Sequence, residues 1–563
     1  MSGTGARRFS WAGLAGDAAV ALGIVSLLWV PWASILAGRV FTNEIFFHWD
    51  HFAMGPALAW RHGFALGTDV YSQYGAGWPV LLNAISPWLP LGHQNAIELA
   101  MLYGCVHHVG LYGLLRVAVG GRGLAAGGTL VVVAASVFSP LVAQHGELAT
   151  IWQWPSLSVL RSPLDVWFFL ALLLHARRPT AARAVAAGVL AGLGLWFETD
   201  TGIFLVGTLA VYGACRVVAA ELGSGAVPRA AAPALPTVAV TIAAGLAVVF
   251  AGLFAASHGT IASEPAAFFS GWIGGVANSS ARGVGANPFA FFLRDHAGWL
   301  PATLAILGVG LFAVCDTMVR LLQGRAGPTT LFSGCLGLYA LGRMTLFVWR
   351  TVPIRLTLAA IPIGILLVLA IAAARGPLER RLARAAGIGP RLASLPIPTA
   401  LLVLGAGLLA SSPTFRDYPN LWWIAREGPP APGLVLFPER GEVAGLPPRM
   451  RPVVASIRAV IDEVRALDEP VAVLDPIKTL VFVEAGEAPW RGDASLFLNT
   501  WSHADQQDLV RELARAGPPH VILRSVPSSP AVEDTWRVLA REVARDYVPA
   551  RRLGVFQRWD RKP

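Results

Sequence analysis

Between residues 39 and 78 an otherwise apolar chain concentrates groups that can move protons and bind polar ligands. They are Glu44, His48, Asp50, His51, Arg61, His62, Asp69, Tyr71, Gln73 and Tyr74. A carboxylate close to lipid has its pKa raised, which makes it a stronger base once ionised. Asp50 is therefore a candidate to take a proton from an acceptor hydroxyl, with Asp69 orienting it or binding substrate. His51, Tyr71, Gln73 and Tyr74 are candidate substrate contacts. A solvated connector with an interfacial aromatic belt accounts for Trp49, Trp60 and Trp78. It does not account for two aspartates set among His, Tyr and Gln beside a Gly/Pro-rich turn.

Cationic groups that could meet such acids lie far away in the chain. Arg350 and Arg355 fall in a connection expected on the same side as the first loop, against the usual placement of positive charge. Paired binding of a phosphate would explain them; snorkelling to headgroups is the plainer reading. Arg343 sits deeper, inside a span, where an arginine needs a partner or a cavity.

Three weaker places complete the set. Glu198 and Asp200, in Gly194-Leu-Trp-Phe-Glu-Thr-Asp-Thr-Gly202, suit a sugar or a divalent cation. In the plainer reading Asp200 or Thr201 caps the next helix. Trp154 and Arg161, with Gln144, His145 and Glu147, offer aromatic faces and polar groups for a sugar. His107 and His108 read as packed core histidines. The four cysteines are scattered and fit no metal motif or disulfide framework. No metal ligand set is visible and no cofactor is required by any motif, although the acids could hold a divalent cation.

These residues must be positioned by membrane-spanning elements. Of 563 residues, 55% are hydrophobic and 14% charged, with a mean hydropathy of +0.57. That composition cannot cover a soluble surface of this size. Stretches long and apolar enough to span, about 20 residues each, lie at 17–38, 95–119, 124–142, 163–176, 184–197, 201–219, 236–256, 299–319, 329–349, 352–374 and 394–411. The run 76–92, broken by prolines, is expected as an interfacial or re-entrant helix, and residues 50–62 as an amphipathic helix lying in the interface.

With the N-terminus inside, the inside connections hold Arg116, Arg122, Arg177, Arg178, Arg183, Arg216, Arg229, Arg320, Arg325 and the Arg375–Arg391 cluster. The outside ones hold Glu44, Asp50, Asp69, Glu147, Glu198, Asp200, Glu264 and Asp295. The net charge of +10 thus reflects topology, and nucleic acid is not an expected partner. The expected fold is an α-helical polytopic membrane protein of about eleven spans, N-terminus in and C-terminus out. Residues 1–411 form the transmembrane domain, 412–450 a Pro-rich linker and 451–563 a small extracytoplasmic α/β domain. In the last, helices at Val453–Leu467, 506–516 and 532–545 alternate with strands at 471–475, 520–523 and 553–559.

An acid after the first span, an interfacial helix ending in His62-Gly63, a second aspartate and a Gly/Pro turn together resemble the GT-C superfamily. These are membrane glycosyltransferases using polyprenyl-phosphate sugars, and they include protein O-mannosyltransferases and aminoarabinose transferases. In the mannosyltransferases the first loop carries Asp-Glu and later Asp-x-His-Pro-Pro-Leu-Gly. Here the positions are Asp50-His51 and Asp69-Val-Tyr-Ser-Gln-Tyr-Gly75, without His-Pro-Pro. The segment Arg343 to Pro362 is similar to the basic stretch before a late Pro-containing span in that superfamily, near the donor phosphate.

The resemblance implies inverting sugar transfer in the cell inner (plasma) membrane. The donor would be lipid-linked and the acceptor an envelope glycan, lipid or protein. Asp50 and Asp69 would be catalytic, and Arg343, Arg350 and Arg355 would bind the donor phosphate. A transporter or flippase of a lipid-linked or anionic solute, and a non-catalytic envelope assembly protein, are the competing classes.

Overall fold

The computed structural model describes residues 11–29, 49–70, 72, 74–139, 158–222, 234–266, 300–349, 356–387, 389–416, 451–475, 477–491, 503–526 and 533–563. Arg350, Arg355, Tyr71, Gln73 and Trp154 lie outside these residues, as does the His51 side chain.

The chain opens with α1 (Trp11–Leu28). After the first loop come a π-helical turn (Asp50–Met54) running into α2 (Gly55–Arg61), and then α3 (Gly77–Ile85). Long helices follow: α4 (His93–Val119), α5 (Arg122–Ser136), α6 (Asp165–Arg177), α7 (Ala181–Phe197), α8 (Thr199–Glu221) and α9 (Ala234–Ala256). They continue as α10 (Leu300–Leu322), α11 (Pro328–Trp349), α12 (Leu356–Ala386) and α13 (Pro396–Ser411). Each of the apolar stretches expected from the sequence carries one of these helices. Five of them, α4, α8, α9, α10 and α12, are long and apolar enough to cross a membrane.

The first helix begins earlier than expected. Its apolar run starts after Asp17, yet Asp17 lies within the helix, because Arg116 and Arg122 reach its Oδ1 at 3.2 and 3.0 Å and the Tyr112 hydroxyl donates to it at 2.5 Å. An acid with two arginine partners no longer marks a helix boundary. Helix α3 is nine residues long and stops before Pro87, so it cannot span.

The π-turn and α2 differ from expectation. Gly55 to Ala59 are buried, so this segment is packed within the protein and does not present an amphipathic face outward along its length. The C-terminal domain supplies part of its cover, since a helix of that domain packs on α2.

Helix pairing depends on small residues. A Cβ on Gly188 of α7 would meet the Thr241 carbonyl oxygen of α9 at 2.1 Å, and one on Gly192 would meet the Gly245 oxygen at 2.4 Å. Where lipid removes the hydrophobic drive between helices, this close backbone approach is what holds them.

The two ends of the bundle differ in charge. At one end Asp17, Arg116 and Arg122 meet, Arg177 donates to the Val117 and Ala118 carbonyls that close α4, and Arg375 lies against Gly121. The opposite end carries the π-turn, Glu198, Asp200 and the docked C-terminal domain.

The C-terminal residues form α14 (Arg451–Ala466), β1 (Val471–Leu474), α15 (Lys478–Ala485), α16 (His503–Ala516), β2 (His520–Arg524), α17 (Glu533–Asp546), β3 (Tyr547–Leu553) and β4 (Phe556–Arg561). The sheet order is β1-β2-β4-β3, with β1 parallel to β2 and the other pairs antiparallel. The expected last strand is a hairpin of two strands turning at Gly554, whose φ of +67° suits glycine. Helix α15 was not expected: its run Leu480-Val-Phe-Val483 is uniformly apolar and gives no helical period.

Candidate functional site

Two buried polar groups lie at the acid-bearing end. The larger is built from four distant parts of the chain. The 3-10 turn Val159–Arg161, capped by the Ser158 hydroxyl, presents Arg161, which is 3% exposed. Its Nη2 lies 2.7 Å from Asp200 Oδ2 and its Nε 3.4 Å from Glu198 Oε1. Glu198 closes the junction of α7 and α8: its Oε2 accepts the Thr201 backbone N–H at 2.7 Å. The cap of α8 is therefore Glu198, not Asp200 or Thr201 as the plainer reading had it. A longer acid reaches back one turn where Asp200 is turned toward Arg161.

Thr201 does a different job. Its hydroxyl donates to the Arg161 carbonyl at 2.5 Å, and Arg343 Nη1 reaches both that hydroxyl and, at 3.1 Å, the same carbonyl. Arg343 is 3% exposed on α11, one turn beyond Tyr339, whose hydroxyl donates to Asp165 at 3.1 Å. Burial and the Asp200 charge push the Glu198 carboxyl up, while Arg161, Arg343 and the Thr201 N–H hold it down.

The first loop joins this group through backbone. The Thr199 N–H donates to the Tyr74 carbonyl at 2.5 Å, and the Ala76 N–H to the Trp196 carbonyl at 3.0 Å. Gly75, with φ of +151°, makes this possible: a Cβ there would meet the Phe197 carbonyl oxygen at 2.5 Å. The Tyr74 ring is thereby set with the Arg161 guanidinium 4.9 Å from its centroid.

Three guanidinium atoms of this group, Arg161 Nη1 and Arg343 Nε and Nη2, are buried without a hydrogen-bond partner among the described residues, while Arg161 Nε has only its ion pair with Glu198. Buried donors are nearly always satisfied, so such a concentration marks a place that a ligand or water completes. The unbonded atoms are N–H donors, so this hydrogen-bonding capacity suits an acceptor such as a phosphate oxygen more than a divalent cation. Among the described residues no group of three His, Cys, Asp or Glu could hold a metal.

Asp50 forms the second group. It is 2% exposed, and its Oδ1 accepts the hydroxyl of Thr479 from the C-terminal domain. Burial raises its pKa to about 8, against the Thr479 hydrogen bond and the charge of Lys478. Two residues on, Phe52 packs 4.9 Å from Tyr74. Tyr74 thus touches both Phe52, on the Asp50 turn, and Arg161.

Tyr74, Arg161, Glu198, Asp200 and Arg343 are brought together, and Asp50 lies in its own group with Thr479. Asp69 is elsewhere: it is exposed, and its Oδ2 accepts the Ala65 N–H at 2.8 Å within a turn resting on Ala256 and Thr260. Sequence reasoning missed Thr479, which no local pattern marks, and Asp165, which one does: it is the one acid in the stretch 163–176.

No protein-family model and no curated protein sequence matches the chain. Among solved structures it is similar to ArnT from Cupriavidus metallidurans bound to undecaprenyl phosphate, at 14% identity and a TM-score of 0.49 over 98% of each chain. It is also similar to the same protein in the apo state, at 13% identity and a TM-score of 0.45 over 97% of this chain and 98% of that one. Superpositions this loose record a likeness and decide neither family nor activity.

Proposed function

We propose that the chain is an integral membrane glycosyltransferase that moves a sugar from a polyprenyl-phosphate donor to an envelope acceptor at the extracytoplasmic face. The observation that carries this reading is the pairing of a buried base with a buried, partly unpartnered arginine pair, at one end of a lipid-embedded bundle.

In this reading the acceptor hydroxyl attacks the sugar's anomeric carbon as its proton passes to Asp50. The bond from that carbon to the phosphate oxygen breaks, and the electron pair leaves with the polyprenyl phosphate. The configuration inverts. Arg343 and Arg161 stabilise the charge that builds on the departing phosphate, the more strongly for being out of water. Tyr74 fixes the Arg161 plane. Arg350 and Arg355 are proposed to extend the phosphate site, and His51, Tyr71, Gln73 and Trp154 to contact substrate. Asp69 is proposed to support the first loop. No step uses a cofactor or a metal.

The test is transfer of radiolabel from undecaprenyl phosphate carrying a hexose, a pentose or an aminopentose to an envelope extract. Purified wild type is compared with Asp50→Asn. Loss of about 10²–10⁴-fold in the variant, with normal folding, is expected of a general base. Equal transfer by both proteins removes Asp50 from the chemistry. Binding and translocation of the intact donor without cleavage would instead favour a flippase.

A further inference from the structure

We infer that the C-terminal α/β domain is part of the site itself, with Thr479 as a positioning residue that holds the Asp50 carboxyl in one orientation, supported by Lys478. This rests on Asp50 being the base of the proposed transfer.

The contact joins residues 429 apart in the chain. Thr479 is 2% exposed and sits in the first turn of α15, and α15 packs on α2, the continuation of the Asp50 turn. Its place is fixed from behind. Asp475, at the end of β1, accepts the Ile477 N–H at 3.2 Å, and its carbonyl accepts the Lys478 N–H at 3.0 Å. Arg524 of β2 grips the same Asp475 carboxylate through Nε at 2.8 Å and Nη2 at 3.2 Å. The sheet thus sets the β1–α15 turn, the turn sets Thr479, and Thr479 sets Asp50. A surface domain that merely shielded the bundle would not need a buried hydroxyl delivered onto a buried acid.

Among the described residues the other charged groups around Asp50 are few. Lys478 of α15 acts on it directly. Helix α3, packed on the same turn, carries no titratable side chain, and Arg61 and His62 stand at the far end of α2, His62 under the influence of Glu487. Thr479 and Lys478 therefore hold most of the described control over this carboxyl. Both favour its ionised form, so removing either makes it harder to ionise.

The experiment uses the full-length protein in lipid nanodiscs. Asp50 is titrated by infrared difference against Asp50→Asn, and the pH profile of kcat/KM is recorded with the undecaprenyl-phosphate sugar panel. In Thr479→Val and Lys478→Met the acidic limb of the profile and the infrared titration should both move up by about one pH unit. Thr479→Ser, which keeps the hydroxyl, should restore the wild-type limb. If the infrared titration of Asp50 is the same in wild type, Thr479→Val and Lys478→Met, the positioning role is wrong. If it moves while wild type transfers no sugar from any donor, the positioning contact stands and the glycosyl-transfer reading falls. Lys478→Met carries the test if Thr479→Val does not fold.

Discussion

Asp50 and Glu198 are both acids buried at the same end of the bundle, yet they are held in opposite ways. Glu198 is locked by the Thr201 N–H and faces Arg161 and Arg343. Asp50 has one neutral hydroxyl on it, with a lysine as its charged neighbour. Burial and the Asp200 charge push the Glu198 carboxyl up, but two arginines and a backbone N–H anchor it in place, so it organises structure. A carboxyl held by a hydroxyl in a dry setting can change its proton occupancy near neutral pH. The first builds the wall of the site, and the second can work in it.

Substitutions can break or sharpen that contrast. The largest effect is expected from Asp50→Asn, which should lower transfer by the 10²–10⁴-fold given above yet leave the fold intact. Arg161→Met should lower transfer too, and in addition destabilise the protein by about 3–5 kcal/mol because Glu198 and Asp200 lose their shared cation. Unfolding midpoints in detergent measure this, and adding Glu198→Gln should recover part of the loss. If Arg161→Met unfolds like wild type, the wall is not held by that pair.

Next is Gly75→Ala. The position combines a positive φ with a carbonyl in the way, so a loss of about 1–3 kcal/mol is expected, with weaker transfer as Tyr74 is pushed off Arg161. A further effect concerns pH and stability. A folded-state pKa of about 8 lies above the ordinary carboxylate value of 3.8, so the contribution of the protonated Asp50 to folding is fully present below 3.8 and is lost progressively as pH rises from there through about 8. Asp50→Asn should therefore melt at a higher temperature than wild type at pH 9, with the difference shrinking as pH falls and vanishing only near the unfolded value of 3.8. Identical melting at pH 9 would mean the carboxyl is better solvated than its burial indicates.

The helical bundle was legible because lipid imposes a length and an apolarity that short windows reveal. The strands β1 and β2 were legible for a similar reason, as short apolar runs between polar helices. The acids and Arg343 were legible as misfits, polar residues where the surroundings are apolar. Their pairing was not, because which acid meets Arg161 depends on how α7, α8 and α11 cross. Nor was the Thr479 contact, since threonine is common and the partner lies at the other end of the chain. Asp69 shows the converse limit: the residue type promised chemistry, and the backbone uses it to hold a turn.

The glycine seam between α7 and α9 has a consequence for how the molecule can move. With Gly188 and Gly192 pressed on the backbone of α9, and Trp196 filling the space over Gly252, those two helices have no lateral play. The acids at the top of α7 therefore ride on a rigid post. The α2 segment and the C-terminal domain meet within the same apolar core as the bundle. A bulkier residue at 188 would tilt the post, and the tilt would be felt about 15 Å away, at Glu198.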